Sequence, residues 1–421
     1  MTDRDRPIAA GRALPRRILW LLLGALAASG ALPAPGGRAL ADEQPVADGQ
    51  PAATVRVGYL GEAVRRPLPL SLVEPIVIDD GVEGARLGIV DDNTTGQFTH
   101  QHFVLDEAIV PEGADVAGAA RRLLAAGDRM LILDLAAPRL LAVADLPEAK
   151  DALLLNVQAT DDRLRGPDCR RNLLHVVPSR AMLADGLAQY LIWKQWNRWF
   201  LLVGKGPGDK LYADAIRRAA TKFRARIVED HEYDAAATAR RTDTGHAQIQ
   251  RQMPVLTQGA DYDVLIVADE SDLFGEYLPY RTWRPRPVAG TQGLVATAWS
   301  RTHEQWGATQ LQHRFERAAH RWMTPRDYAA WLAARSIAEA ATRSGKADAE
   351  TIGAFVRSAA FDVAGFKGQR LTFRNLGRPD ATADPADRTA LAGIGVAAGG
   401  LSCMSTASST RSASTSRKPP A

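Results

Sequence analysis

The sequence predicts an α/β protein built as two doubly wound parallel-sheet lobes joined by a hinge. Three observations carry this. Short apolar runs alternate with segments of helical periodicity, once over residues 54–157 and again over residues 199–290. Between the two sets lies a seam, residues 152–206, where one set ends on Leu153-Leu154-Leu155-Asn156-Val157 and the next begins on Trp199-Phe200-Leu201-Leu202-Val203. Finally, 421 residues are enough for two domains at roughly 100–200 residues each.

The elements follow in chain order. Arg16-Arg17, the apolar run from Ile18 and the close on Ala39-Leu40-Ala41 read as a signal peptide over residues 1–41, cleaved after Ala41, which places the protein in the periplasm. That run is shorter than the roughly 20 apolar residues a membrane span needs. The first lobe is expected over residues 42–178. Residues 54–60 alternate as a strand does, and residues 84–90 read as helix running into a turn and cap at Asp91-Asp92-Asn93-Thr94-Thr95-Gly96. A second strand is expected over residues 98–105. Val116, Ala120, Leu123 and Leu124 share one helix face, residues 129–134 form the third strand, a helix starts at Pro138, and Leu153 opens the fourth strand. In a β-α-β-α-β-α-β order, consecutive strands lie parallel.

Ser179 is a cap for a crossover helix with Leu183, Leu187, Tyr190 and Leu191 on its apolar face. The second lobe is expected over residues 179–330. It holds a helix over residues 211–224, a strand at 225–228, a helix near residues 249–256, and strands at 262–268 and 287–290. Leu311, Phe315 and Trp322 mark a further amphipathic helix. Residues 331–376 are expected to re-cross the hinge and end in a hairpin over residues 366–374. From Gly377 aromatics vanish and Ser, Thr, Ala, Arg and Pro dominate, the composition of a disordered or out-of-frame tail.

Charge excludes one class of partner. The whole chain is formally +4, yet residues 42–376 hold 41 basic and 43 acidic residues, so the region that folds has no basic nucleic-acid footprint. The two cysteines, Cys169 and Cys403, are read as unpaired.

Catalytic and cofactor signatures fail one by one. There is no Gly-x-Ser-x-Gly elbow. Gly204-x-Gly206-x-Gly208 sits between strand and helix, but a dinucleotide loop needs Gly-x-Gly-x-x-Gly, and a phosphate loop fails at Asp209-Lys210-Leu211. His100 and His102 would share a strand face, and His313 and His320 a helix face, without the partners a zinc site requires. Asp91 could open a calcium loop, but the bidentate Glu would fall at His102. No cofactor, no metal and no catalytic residue is expected.

What remains is a cleft. In open α/β sheets, ligands bind beyond the carboxyl ends of the strands. Those ends bring Glu62, Asp134, Gln158, Ala159, Thr160, Lys205, Asp269, Glu270, Thr291 and Gln292 from both lobes, the polar set a hinge-closing binder uses.

The segments Asn156-Val157-Gln158-Ala159-Thr160, Leu164 and Val177-Pro178-Ser179 resemble the type I periplasmic binding proteins of the branched-chain amino-acid class. Asp91-Asp92-Asn93-Thr94-Thr95-Gly96-Gln97-Phe98, Ala298-Trp299, Gln305-Trp306-Gly307-Ala308 and Asp327-Tyr328-Ala329-Ala330-Trp331 are similar to a subgroup, the substrate-binding proteins associated with PQQ-dependent alcohol dehydrogenase systems. The resemblance covers residues 55–374. It implies a solute receptor closing like a flytrap on a small organic molecule and delivering it to an ABC permease; an accessory or sensor role in alcohol oxidation and an exported α/β enzyme are the alternatives. A monomer is expected. In the family a hydroxyl after the third strand meets the ligand carboxylate; here Ala136-Ala137 stand there. The Ala-Thr pair is kept as Ala159-Thr160, and Tyr212 takes the place of the aromatic lid. Gln292 replaces the acid that pairs with the ligand ammonium, which implies a ligand other than a free α-amino acid.

Overall fold

The computed structural model describes residues 53–63, 76–234 and 243–373, together with the backbone of 395–397 and 400–402. The expected signal peptide, Cys403 and most of the tail lie outside the described residues. Within the tail, Gly395–Ala397 and Gly400–Ser402 pair antiparallel.

The first lobe is a five-stranded parallel sheet of order β2-β1-β3-β4-β5. Its strands are β1 (Ala53–Ala63), β2 (Gln101–Pro111), β3 (Met130–Asp134), β4 (Leu153–Asn156) and β5 (Leu173–His175). Helices α1 (Val82–Thr99), α2 (Val116–Ala125) and α3 (Ala137–Ala144) connect them. All five residues of β3 are buried, as in a sheet covered on both faces. The sequence pattern predicts four strands in this lobe. The fifth, β5, is three residues long and pairs in parallel with β4.

After α4 (Arg180–Trp193), the second lobe repeats the plan with order β10-β9-β8-β6-β7. The strands are β6 (Arg198–Gly204), β7 (Arg226–Tyr233), β8 (Val264–Ala268), β9 (Val288–Gly290) and β10 (Leu294–Val295), with α5 (Pro207–Phe223) and α6 (Asp243–Leu256) between them. Leu201, Val203 and Ile266 pack with α4 and α5 on one face, and Phe200, Leu202 and Leu265 with α6 on the other.

The chain then returns. Helices α7 (Ala308–Ala319), α8 (Pro325–Ser344) and α9 (Ala349–Val356) place Leu311, Phe315, Tyr328, Trp331, Ile337 and Ile352 in the core built on Val55, Val57 and Ile132. The boundary expected at residue 330 thus falls inside α8, and α7 already belongs with the first sheet. A short hairpin, β11 (Val363–Ala364) with β12 (Arg370–Leu371), follows.

One helix departs from its expected course. Asp91-Asp92-Asn93-Thr94-Thr95-Gly96, expected as a turn, lies inside α1, as does Phe98, expected in a strand. The reason is tertiary. Helices α1 and α8 run side by side in the same direction: a Cβ on Gly84 would overlap the Asp327 carbonyl, and one on Gly88 would lie 2.7 Å from the Ala334 Cβ. Asp91 accepts from Trp331 Nε1 (2.9 Å) and pairs with Arg314, Asp92 pairs with Arg335, and Asn93 exchanges two hydrogen bonds with the Phe103 backbone. Two segments singled out in the sequence, the one at Asp91 and the one at Asp327, are therefore the two sides of one helix interface. His100 is the left-handed cap of α1, so it does not share a strand face with His102.

Candidate functional site

The strand carboxyl ends of each sheet carry the polar residues the sequence points to. The structure shows what those residues bond.

In the first lobe, β4 ends on Asn156, whose Oδ1 accepts from the Gln158 and Ala159 amides (3.1 and 2.8 Å) and whose Nδ2 donates to the Ala159 carbonyl. This closes the Gln158-Ala159-Thr160 turn on itself. Burial pushes the neighbouring His175 down to about 3, with Arg165 adding to the shift, so the ring is neutral and its Nδ1 accepts from Asn156 (3.0 Å). The Thr160 carbonyl accepts from the Arg180 amide, bringing the turn to the start of the crossover helix. Asp161 and Asp162 continue it: Asp161 pairs with Arg180 (2.9 Å), and Asp162 accepts from the Ala181 amide and pairs with Arg218 of α5.

Glu62 is committed to holding the lobe. It accepts from the Gly113 amide (2.7 Å) and from Arg139 (2.8 Å), and only 7% of its side chain is exposed. Ala137 is a buried first residue of α3. Both bonds to Glu62 fall on Oε1, and Ala137 carries no polar side-chain group.

The second lobe is more thoroughly committed. Asp269 is 1% exposed, and its carboxylate accepts from the amides of Leu273, Phe274 and Gly275 (3.0, 2.8 and 2.6 Å). Burial pushes its pKa up, the three amides pull it down, and nearby Asp209 pushes it up again, leaving it raised. Asp209, the residue that breaks the phosphate-loop pattern, accepts from the Gly206 and Ser271 amides and from the Ser271 hydroxyl, closing the Gly-rich turn. Glu270 makes a two-pronged bond with Arg180 (2.8 and 2.7 Å). Gln292 donates to Asp272 (3.0 Å), the Thr291 hydroxyl accepts from the Asp269 amide, and Lys205 pairs with Asp234. Tyr212, expected as a lid, is 5% exposed inside the core of α4 and α5, where burial and Glu270 raise its pKa.

One group at these edges is differently placed. Between β1 and β3, where the strand order reverses, Tyr59 donates to Asp134 Oδ2 (2.8 Å). Arg326, second residue of α8, approaches Asp134 at 3.5 Å and Asp80 at 3.6 Å, both through Nε. Burial works against its charge, but Asp134 and Asp80 hold its pKa above the usual value. Beside it, Arg321 and the Gly81 amide bond Asp327. Sequence reasoning noted Asp134 but missed Arg326. The one local signal was Thr324-Pro325-Arg326-Asp327, a capping box that fixes the helix start, with Thr324 accepting from Asp327 N (3.1 Å).

A groove of about 460 Å³ lies at the outer edge of the second sheet, lined by Tyr233, Gln248, Arg251, Gln252 and Val255; none of the expected ligand residues lines it. Among the described residues no group of three His, Cys, Asp or Glu is placed to hold a metal, and no helix is long and apolar enough to cross a membrane. Cys169 forms no disulfide among the described residues.

No family model and no curated protein matches the sequence. Solved structures do match the fold. A periplasmic binding protein from Burkholderia mallei aligns at TM-score 0.58 and 15% identity, over 77% of this chain and 86% of its own. An ABC-transporter substrate-binding protein from Desulfitobacterium hafniense in complex with Leu aligns at 0.57 and 16%, over 77% and 94%. A solute-binding protein from Rhodopseudomonas palustris in complex with 3,4-dihydroxybenzoic acid aligns at 0.52 and 12%, over 76% and 88%. With two five-stranded parallel sheets, the chain has the type I periplasmic binding protein fold.

Proposed function

We propose that the protein is a periplasmic solute receptor that binds a small organic molecule between its lobes and presents it to an ABC permease, without catalysis. The observation that carries this reading is the pair of parallel sheets whose polar carboxyl edges are linked through Asp161, Arg180 and Glu270 at the start of the crossover helix. The named ligands of the similar structures, Leu and 3,4-dihydroxybenzoic acid, give the size class. A tie to PQQ-dependent alcohol oxidation rests on the sequence segments at Asp91, Ala298, Gln305 and Asp327 alone, and two of these have a structural use in the α1–α8 interface. Cleavage after Ala41, monomeric state and permease docking belong to the same proposal.

A thermal-shift screen of the chain with alcohols, aldehydes, carboxylates, amino acids and PQQ tests it. A ligand at a hundredfold excess over Kd stabilises the native state by about 2.7 kcal/mol. A clear shift with one chemical class is expected. No shift with any of them, for a chain that unfolds cooperatively, contradicts the receptor reading.

A further inference from the structure

The polar groups at the two sheet edges differ in what they leave open. In the second lobe, Asp209 and Asp269 accept from backbone amides, Glu270 is paired on both oxygens with Arg180, and Asp272 accepts from Gln292. An ammonium arriving there would share these carboxylates with partners they already hold inside the protein. In the first lobe the order reverses between β1 and β3, and α1 and α8 both start at that point. Arg326 stands there with a quarter of its side chain exposed. Its guanidinium forms no hydrogen bond among the described residues; its nearest approaches to Asp80 and Asp134, 3.6 and 3.5 Å, are both made by Nε. The two carboxylates thus orient the group from its Nε side and keep it charged. Among the described residues the Nη1–Nη2 edge makes no hydrogen bond. That edge presents two parallel N–H donors, the geometry that fits one carboxylate.

We propose that Arg326 is the residue by which the first lobe grips its ligand, and that the ligand is a small organic monocarboxylate without an α-amino group. The two halves come from different observations: the guanidinium edge selects a carboxylate, and in the second lobe the acids Asp209, Asp269, Glu270 and Asp272 already hold protein partners while Gln292 is a neutral amide, so that lobe offers no uncommitted counter-ion for an ammonium. Asp80 and Asp134 act as positioning residues. Their negative charge also sets an upper limit, because a second anionic group on the ligand would meet like charge in a weakly screened site. The proposal rests on the receptor reading and names the substrate class for it.

The test is calorimetric titration of the full chain with propionate, hexanoate and benzoate, each beside its amide, and with leucine and succinate. Wild type is expected to bind at least one monocarboxylate and to bind its amide, leucine and succinate at least about tenfold more weakly. Arg326→Gln is expected to lose the carboxylate-over-amide preference, and Arg326→Lys, which keeps the charge without the fork, to fall between. Thermal unfolding of both variants without ligand shows that they are folded. If amides, alcohols or leucine bind as well as the carboxylate, or if Arg326→Gln leaves the preference intact, the proposal is overturned while the receptor reading stands. If folded wild type binds nothing in this panel or in the wider screen, both fall.

Discussion

The second sheet ends in Asp209, Asp269, Glu270 and Asp272, each bonded to another part of the protein, whereas the first sheet ends beside Arg326, whose guanidinium forms no hydrogen bond among the described residues. The two lobes share a topology but spend their charged groups differently. An acid that accepts from three amides is a structural strut whatever its position in the fold. A cation held from one side by two carboxylates is an oriented donor. Position at a strand end therefore nominates a residue for binding, and its existing partners decide.

The largest effect expected from this contrast is at Asp269. Replacing it by Ala strands three amides, two of them buried, and should cost about 3 kcal/mol or more in urea unfolding. A cost under about 1 kcal/mol would make it a free ligand group rather than a strut. Next is Gly84→Ala in α1, where the added Cβ meets the Asp327 backbone of α8; a loss of roughly 1–3 kcal/mol is expected, as for overpacking. Opposite lobes carry these two changes, so their costs should add within about 0.5 kcal/mol.

The α1–α8 interface also has a pH signature. Burial raises the Asp92 pKa to about 7, against the opposing pull of Arg335, and Asp91 and Glu339 raise it further. Between the unfolded value and about 7 the folded chain holds the extra proton, so this group makes stability fall as pH rises through that window. The slope is at most about 1.4 kcal/mol per pH unit. Asp92→Asn should flatten the wild-type profile between about pH 4 and 7; an unchanged difference between the two proteins across that range would show that Asp92 is ionised throughout. The smallest expected effect is Arg180→Gln, which removes the bridge between Asp161 and Glu270. The pair is partly exposed, so about 1 kcal/mol is expected, shrinking as salt is added.

Much of the fold was legible in the sequence because buried parallel strands read as continuous apolar runs. Leu131-Ile132-Leu133 and Val264-Leu265-Ile266-Val267 need no context. Residues 91–96 misled because their local preference is for turns, while Asp91, Asp92 and Asn93 are held in helix by Trp331, Arg314, Arg335 and Phe103, far away in sequence. Strand β5 was missed for its length alone. At the site, strand ends could be located, but whether Asp269 was free depended on the loop after it folding its amides back. Arg326 was missed for a longer-range reason: the return to the first sheet was expected only from residue 331, which left the start of α8 in the second lobe.

Amide hydrogen exchange with and without the tightest-binding monocarboxylate tests the asymmetry between the lobes most directly. The account predicts added protection at the start of α8, around Arg326 and Asp327, and at the start of α1. Residues 269–275, already locked by Asp269, should change little. Added protection confined to residues 269–275, with the Arg326 region unmoved, would contradict it.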